Sequence, residues 1–282
     1  MRLPAYEPGP TPSEQQLSVD PPMKGPAPTS HSTTQGAVAT VSKLALEDKR
    51  VVIIGGGSGL GYQVASQCVA KGAKVTIAGR GLERLEAARE ALGPEVSIQA
   101  VDVMDEGSLQ SLFAAQDRVD CLFNTAGVYV SGPMRDLSVQ QAMTAFDAKF
   151  WGQYRAVKAA IPKLTPDASV VLIAGADAVR PTAATPAYVA CNAGLEGLGR
   201  GLAFELAPIR VNVISPGYMD GNFWSTRKNE AERAEAYPRY RDGSTLGRVG
   251  TEAEVAHGVV FLFENTFLTG SVVRTDGGYS LQ

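Results

Sequence analysis

Two groups of residues have types and spacing that could do chemistry, and the first is a glycine-rich loop. It reads Gly55-Gly56-Gly57-Ser58-Gly59-Leu60-Gly61 and lies between an apolar run and a helix-like stretch. Glycines allow a tight turn, close approach of the backbone to a pyrophosphate, and close packing of the following helix. The loop therefore predicts a dinucleotide-binding turn with contacts from Gly55, Gly57, Ser58, Gly59, Leu60 and Gly61.

The second group contains Tyr188, a phenol that could donate a proton, and Asp177, a carboxyl that could act as an acid or bind a cationic substrate. The ordinary alternative for Asp177 is a solvated loop carboxylate paired with Arg180. Only two histidines exist, and the three cysteines lack CxxC spacing. The sequence therefore predicts no metal site, no His-based triad and no disulfide framework.

The end of the second apolar run favours NADP(H) over NAD(H). It reads Ala78-Gly79-Arg80, without the Asp or Glu that an NAD site would offer to the ribose hydroxyl. Arg80 can instead bind a 2′-phosphate, and Arg84 adds positive charge nearby. The alternative is that Arg80 only caps a solvated turn. Asp102 and Val103 follow the third run and are placed to line the adenine pocket.

The elements that position these residues alternate between apolar runs and helix-like segments. The runs are Arg50–Ile54, Lys74–Ala78, Val96–Ala100, Val119–Phe123, Ser169–Ala174, Ile209–Ile214 and Ser271–Arg274. Helices are predicted over Leu82–Leu92, Val139–Ala160 and Ala187–Leu206. Strands apolar on both faces and separated by helices predict an α/β fold, a Rossmann-type doubly wound parallel sheet that binds ligands at its carboxyl edge.

Composition divides the chain of 282 residues in two. Eight of its 17 prolines lie in the first 28 residues, and residues 1–45 lack sustained apolar periodicity. Such a segment cannot bury enough surface to offset its ordering entropy, so residues 1–45 are predicted to be a disordered Pro-rich extension. Residues 46–282 are predicted to form a single NADP-binding Rossmann domain.

Charge and hydropathy exclude further classes of function. The net charge is −3, and the Lys and Arg residues form no basic cluster, which disfavours a nucleic-acid partner. No apolar stretch approaches the roughly 18 residues that span a bilayer. The expectation is a cytoplasmic protein that acts on a small-molecule substrate.

Several motifs in a fixed order resemble the short-chain dehydrogenase/reductase family over residues 48–282. They are Gly55-xxx-Gly59-x-Gly61, Asp102-Val103, Asn124-Thr125-Ala126-Gly127, Arg210-Val211-Asn212 before Pro216-Gly217, and Asp276-Gly277-Gly278. The resemblance implies seven strands in the order 3-2-1-4-5-6-7, a bound nicotinamide, and a homodimer or homotetramer. It also implies cofactor contacts from Asn124, Ala126, Gly127, Pro216 and Gly217.

The family uses a Ser, Tyr, Lys and Asn set, in which Tyr protonates the carbonyl oxygen and Lys assists it. Here Tyr188 is kept, but Gly175 stands at the Ser position, Asn192 at the Lys position and Lys149 at the Asn position. An uncharged Asn192 cannot stabilise a phenolate as an ammonium does, which favours reduction over alcohol oxidation. Asn192 could keep one hydrogen bond to the nicotinamide ribose, and Lys149 could return a positive charge from the neighbouring helix.

The segment Tyr218–Leu246 occupies the position of the family's substrate lid. Its aromatic residues Phe223, Trp224, Tyr237 and Tyr240 suggest a bulky organic substrate, and plain packing is the alternative. Gly221 replaces the Thr that usually holds the nicotinamide carboxamide.

The sequence leaves three functions open. The first is an NADP(H)-dependent oxidoreductase, a reductase of a carbonyl, imine or activated alkene with an atypical active site. The second is a non-redox isomerase or cyclase on the same scaffold, and the third is a catalytically silent NADP(H)-binding protein.

Overall fold

The computed structural model describes residues 45–221 and 229–282. The extension predicted over residues 1–45, apart from its last residue, and the predicted lid residues Phe223 and Trp224 lie outside the described residues. Among the described residues, the first helix or strand is β1, which lies immediately before the glycine-rich loop, as the first apolar run predicts.

A seven-stranded parallel sheet forms the centre of the fold, in the order β3-β2-β1-β4-β5-β6-β9. Its strands are β1 Arg50–Ile54, β2 Lys74–Gly79, β3 Ser97–Ala100, β4 Val119–Asn124, β5 Leu164–Ile173, β6 Arg210–Pro216 and β9 Val272–Thr275. Two short strands, β7 Met219–Asp220 and β8 Gly250–Thr251, pair separately. With β9 as the seventh strand, the predicted order 3-2-1-4-5-6-7 is confirmed.

Helices cover both faces of the sheet. They are α1 Gly59–Ala70, α2 Leu82–Leu92, α3 Glu106–Ala114, α4 Val139–Ala145, α5 Trp151–Ala160, α6 Pro186–Glu205, α7 Glu230–Asp242 and α8 Glu252–Glu264. None of these described helices is long and apolar enough to cross a membrane.

The strands are apolar on both sides because each side faces a separate core. In β1, Val51 and Ile53 pack with residues of α1 and α8, whereas Val52 and Ile54 pack with residues of α3 and α5. This alternation is the pattern expected of a doubly wound sheet. The three cysteines are free and buried, as packing residues should be.

The register brings the carboxyl ends of the central strands to one edge. Ile54 at the end of β1 pairs with Ala78 of β2 on one side and with Asn124 of β4 on the other. Ile173 at the end of β5 pairs with Ile214 of β6. The glycine-rich loop, Arg80 and the segment that contains Asp177 therefore leave the sheet at the same edge.

One predicted helix differs from expectation in a way that matters for the site. The single helix predicted over residues 139–160 is α4 and α5 joined by a π-helical turn, Phe146–Phe150, in which the N–H of Trp151 donates to the carbonyl of Phe146. Lys149 lies in this turn and is buried, with 5% of its surface exposed. An extra residue in a helical turn rotates the side chains around it.

A buried glutamine attaches this turn to the sheet. Gln153 Nε2 donates to the carbonyls of Lys149 (3.1 Å) and Ile173 (3.0 Å), and its Oε1 accepts from the N–H of Ile173 (2.8 Å). Gln153 is fully buried, so breaking these bonds would leave polar groups unpaired. The position of the turn is therefore fixed against the end of β5.

Candidate active site

A cavity of about 510 Å³ opens along the carboxyl edge of the sheet. It extends from the glycine-rich loop to Tyr188, and it brings together most of the residues that the sequence singles out. Those on its wall are Gly55, Gly57, Ser58, Gly59, Leu60, Arg80, Asp102, Val103, Ala126, Gly127, Asp177, Tyr188, Pro216 and Gly217.

The glycine-rich loop has the backbone that the sequence predicts. Gly55 has φ +87°, a left-handed conformation, and a Cβ there would collide with the side chain of Thr125. Helix α1 begins at Gly59, within the glycine-rich segment, with its first residues on the cavity wall. A helix N-terminus favours an anion, so this end of the cavity suits a phosphate.

Arg80 and Arg84 line the cavity where β2 ends. Within residues 45–221 and 229–282, neither guanidinium forms an ion pair with a carboxylate. Two guanidinium groups on one wall can bind a second anionic group. This end of the cavity therefore has separate positions for at least two anions.

Three predicted contacts, Gly61, Asn124 and Asn192, lie behind the cavity wall instead of on it. Gly61 packs against the backbone of Gly55, where a Cβ would clash. Asn124 is buried; its Oδ1 accepts from the N–H of Ala126 (2.9 Å) and its Nδ2 approaches the carbonyl of Gly152 (3.4 Å). Gly61 and Asn124 both shape the loops that line the cavity.

Lys149 supplies an ammonium group to Tyr188 from the π-helical turn. Its Nζ donates to Tyr188 Oη (2.9 Å), to the carbonyl of Ala174 (2.9 Å) and to Asn192 Oδ1 (2.5 Å). It also lies 4.4 Å from the centre of the Tyr188 ring. Asn192 brings no positive charge to the phenol, and Lys149 supplies one from another element. This is the role that the sequence suggests for Lys149.

These contacts determine where the phenol proton points. An ammonium has three N–H donors and no acceptor, and all three donors of Lys149 are engaged by protein oxygens. Since Tyr188 Oη accepts from Lys149, its own O–H must be directed elsewhere, and Tyr188 lines the cavity. The phenol can therefore donate to a ligand while its oxygen faces a cation.

Asn192 lies behind Lys149 and does not reach the cavity wall. It is fully buried, with its oxygen accepting from Lys149 and its Nδ2 donating to Asp177 Oδ1 at 2.7 Å. The sequence suggests a hydrogen bond from Asn192 to the nicotinamide ribose, but this buried position behind Lys149 does not favour such a contact. Asn192 instead links a cation to a carboxylate.

Asp177 lies on the cavity wall and accepts the hydrogen bond from Asn192. Burial raises the pKa of this carboxyl above its ordinary value of 3.8, although Lys149 and the Asn192 hydrogen bond oppose the shift. Arg180, expected as an alternative partner, instead donates to the carbonyls of Gly243 (3.0 Å) and Tyr279 (2.7 Å) and stacks on the Tyr279 ring. The solvated-loop interpretation of Asp177 therefore does not match its surroundings.

Aromatic residues surround the substrate end, but they differ in part from those that the sequence suggests. Tyr240 lines the cavity and stacks on Tyr218 with ring centres 4.1 Å apart, whereas Tyr237 is 45% exposed and lies off the wall. Tyr129 packs edge-on against Tyr188 at 4.9 Å, and Tyr279 packs edge-on against Tyr218. Sequence reasoning missed Tyr129 and Tyr279, although they lie within two residues of the motifs that end at Gly127 and Gly278, because a motif does not show where a neighbouring side chain points.

Comparison with known proteins matches this architecture to one family. A family model described as "Enoyl-(Acyl carrier protein) reductase" matches residues 55–280. The chain belongs to the short-chain dehydrogenase/reductase family. A human 3-oxoacyl-[acyl-carrier-protein] reductase is 31% identical over 242 residues, covering 83% of this chain and 99% of that protein.

Other members of the short-chain dehydrogenase/reductase family are similar to this chain in sequence and in fold. The dehydrogenase/reductase MalC of Malbranchea aurantiaca is 28% identical over 256 residues. Its solved structure, described as a reductase/Diels-Alderase, has a TM-score of 0.79 and covers 86% of this chain and 100% of that chain. A small-chain dehydrogenase solved in complex with NADPH is 31% identical, has a TM-score of 0.73 and covers 84% of this chain and 100% of that one.

Proposed function

We propose that this protein is an NADP(H)-dependent reductase of an organic C=O, C=N or activated C=C bond, with Tyr188 as proton donor and Lys149 as its cationic partner. The observation that carries the proposal is the 2.9 Å hydrogen bond from Lys149 Nζ to Tyr188 Oη beside the cavity. It supplies the charge that the motif lysine would have supplied. The NADPH complex of a relative 31% identical to this chain supports the choice of cofactor.

The cavity wall fits NADP(H) by its own chemistry. The start of α1, with Gly55 in a left-handed conformation, leaves the backbone open to a pyrophosphate, and Arg80 with Arg84 would hold a 2′-phosphate. Asp102 and Val103 would border the adenine, while Pro216 and Gly217 would border the nicotinamide end. When bound, NADPH supplies a hydride to the substrate.

The chain's own residues would then control one proton. Tyr188 donates its cavity-facing O–H to the substrate atom that gains electron density, and Lys149 stabilises the negative charge left on Oη. Ala174 and Asn192 fix the ammonium, so its charge is preorganised instead of reorganising during the reaction. The same ammonium permits the reverse proton transfer, so the expected bias toward reduction is weaker than the motif alone suggests.

The test begins with cofactor binding and proceeds to turnover. Titrations of NADPH and NADH, followed by nicotinamide fluorescence, should show tighter binding of NADPH. A panel of bulky ketones, imines and activated alkenes should give oxidation of NADPH, and Tyr188→Phe should bind NADPH normally but reduce ketones at least about 100-fold more slowly. Tight NADPH binding without oxidation on any member of the panel would instead support the silent binding protein.

A second function, a non-redox cyclase, has one supporting observation. MalC, which aligns over 86% of this chain, is described as a reductase/Diels-Alderase. The aromatic end of the cavity could likewise hold a substrate folded for ring closure. Product formation from a diene-containing substrate without consumption of NADPH would favour this function over the reductase.

A further inference from the structure

Gly175 creates the space in which Asp177 sits. A Cβ at residue 175 would lie 2.9 Å from Asp177 Oδ1 and 2.9 Å from Asn192 Nδ2, the two atoms that hydrogen-bond to each other at 2.7 Å. The backbone of Gly175 is extended, with φ −176°, which any residue can adopt. The glycine is therefore needed for its missing side chain, and the volume it frees is filled by a carboxyl–amide pair.

The hydrogen bonds around Asn192 assign Asp177 the role of an acceptor. The ammonium of Lys149 can only donate, so the amide oxygen of Asn192 must face it and the amide nitrogen must face Asp177. An ionised carboxylate offers about four acceptor positions, so the bond from Asn192 leaves capacity for a ligand. Asp177 lines the cavity and can offer that capacity to a substrate.

Lys149 contributes its positive charge to this part of the cavity without a spare donor. Lys149 uses all three of its N–H groups on protein oxygens, so its charge is present but its donors face away from the cavity. Beside Gly175, the O–H of Tyr188 can donate to a ligand and the carboxyl of Asp177 can accept from one. In the family pattern, a Ser hydroxyl would stand where this acceptor now lies.

The aromatic rings on the same wall already contact cations of the protein. Tyr129 and Tyr188 form an edge-to-face pair, and Tyr218 packs edge-on against Tyr279 across 5.2 Å, with all four on the cavity wall. Lys149 lies 4.4 Å from the centre of the Tyr188 ring, Arg180 lies 4.3 Å from that of Tyr279, and Tyr218 stacks on Tyr240. The carboxylate of Asp177, which an ion pair of the described residues does not neutralise, is therefore the group that a cationic ligand would meet.

We propose that the substrate of this reductase carries a cationic nitrogen, and that Asp177 binds it while an iminium C=N bond is reduced. This inference rests on the proposed function. Hydride from NADPH forms a bond to the iminium carbon, the π electron pair of the C=N bond becomes the nitrogen lone pair, and NADP⁺ is released. No proton is consumed, so Tyr188 need only orient the substrate.

The decisive experiment compares two probes of similar size. N-methyl-3,4-dihydroisoquinolinium carries a permanent charge, whereas α-tetralone is a neutral bicyclic ketone. Calorimetric binding, with and without NADP⁺, and turnover followed by NADPH oxidation should both favour the cation at least about tenfold in the wild type. Asp177→Asn should abolish this preference, because its amide can still accept from Asn192 but carries no charge.

A control variant tests whether the preference for the cation depends on Asp177 or on the loss of any carboxylate. Asp136→Asn removes an exposed carboxylate that lies away from the cavity and should keep the full preference for the cation. Tyr188→Phe should slow the ketone much more than the iminium ion, because only the ketone needs a proton.

The outcomes distinguish this inference from the proposed function. If the wild type binds or reduces the ketone as well as the cation, or if Asp177→Asn keeps the preference, the inference is overturned. Reduction of ketones with NADPH would leave the reductase standing in that case. Failure to bind NADPH in the fluorescence titration would overturn the reductase itself, even if the cation still bound to Asp177 without cofactor.

Discussion

The two ends of the cavity follow the family pattern to different degrees. At the dinucleotide end, the glycine-rich loop keeps its glycines and its left-handed Gly55. At the end proposed for the reaction, the positions where the family pattern leads us to expect Ser, Lys and Asn hold Gly175, Asn192 and Lys149. The first end works through backbone shape, which few residue types can reproduce. The second end works through charges at points in space, and these can be supplied from a different element.

The largest expected effect tests whether Lys149 and Asn192 have exchanged roles. Lys149→Asn removes the ammonium from Tyr188, and Asn192→Lys places a second ammonium beside the first, so each should lower kcat about 100-fold or more. The double variant Lys149→Asn/Asn192→Lys restores one cation and one amide, and it should recover to within about tenfold of wild type.

The control for this exchange is Lys158→Met, which removes an exposed lysine of α5 and should leave kcat unchanged. Circular dichroism should show that all four proteins are folded. A double variant no better than either single variant would mean that the charge at Tyr188 is not transferable between the two helices.

A smaller effect is expected at the dinucleotide end. Arg80→Ala removes a guanidinium from the predicted 2′-phosphate position, and a hydrogen bond to a charged group contributes about 1.5–3 kcal/mol. The Kd of NADPH should rise about 10- to 100-fold while that of NADH stays constant, as measured by fluorescence titration. Arg89→Ala, on the exposed face of α2, should change neither Kd. An equal loss for both cofactors would contradict the assignment of Arg80.

The next effect tests whether the reaction end of the cavity needs the space left by Gly175. Gly175→Ala should displace Asp177 from Asn192, weaken the preference for a cationic probe and lower the free energy of unfolding by about 1 kcal/mol. Gly201→Ala is the matched control: it lies in α6 with no atom within 4 Å of the added Cβ, and it should be neutral or stabilising. Urea unfolding measures both. An unchanged stability and preference in Gly175→Ala would show that the space is not required.

The smallest effect concerns pH and the partly buried carboxyl of Asp177. Because the pKa of Asp177 is raised above 3.8 in the folded protein, folding favours its protonated form. That stabilising contribution is complete below 3.8 and is lost as pH rises through the raised pKa. The Tm of the wild type should therefore fall relative to Asp177→Asn as pH rises from about 4 to about 8. Parallel curves for the two proteins would contradict burial as the cause.

Much of the fold could be predicted from the sequence, because apolar runs report burial directly. The strand order follows from the motifs, and β1 has the bounds that its apolar run predicts. Strand β5 starts at Leu164, five residues before the predicted Ser169. Leu164 pairs with Val119 of β4, but the register then shifts and residues 165–167 are not apolar, so this part of the strand has no apolar run to predict it. The π-helical turn was also beyond prediction, because one inserted residue leaves helical composition unchanged.

The candidate site was predictable in its parts but not in its connections. Tyr188 and Lys149 could be named from motif positions, and Asp177 from its place just beyond the fifth predicted strand. That Lys149 reaches Tyr188 depends on the turn that holds it, and that Asp177 reaches Asn192 depends on the space at Gly175. These distances depend on how elements far apart in the sequence pack together. The spacing of apolar residues along the chain does not reveal that packing.

Tyr188 lies in α6, whereas the Lys149 ammonium that contacts it lies in the π-helical turn before α5. This arrangement affects how the site responds to heat. A single helix holds two side chains one turn apart through its own backbone hydrogen bonds. Here the 2.9 Å contact depends on α5, β5 and α6 staying packed, with Gln153 as the joint between the first two. A small slippage between these elements would break the contact without unfolding any of them. On warming, catalysis should therefore fail at a lower temperature than the cooperative melting of the sheet.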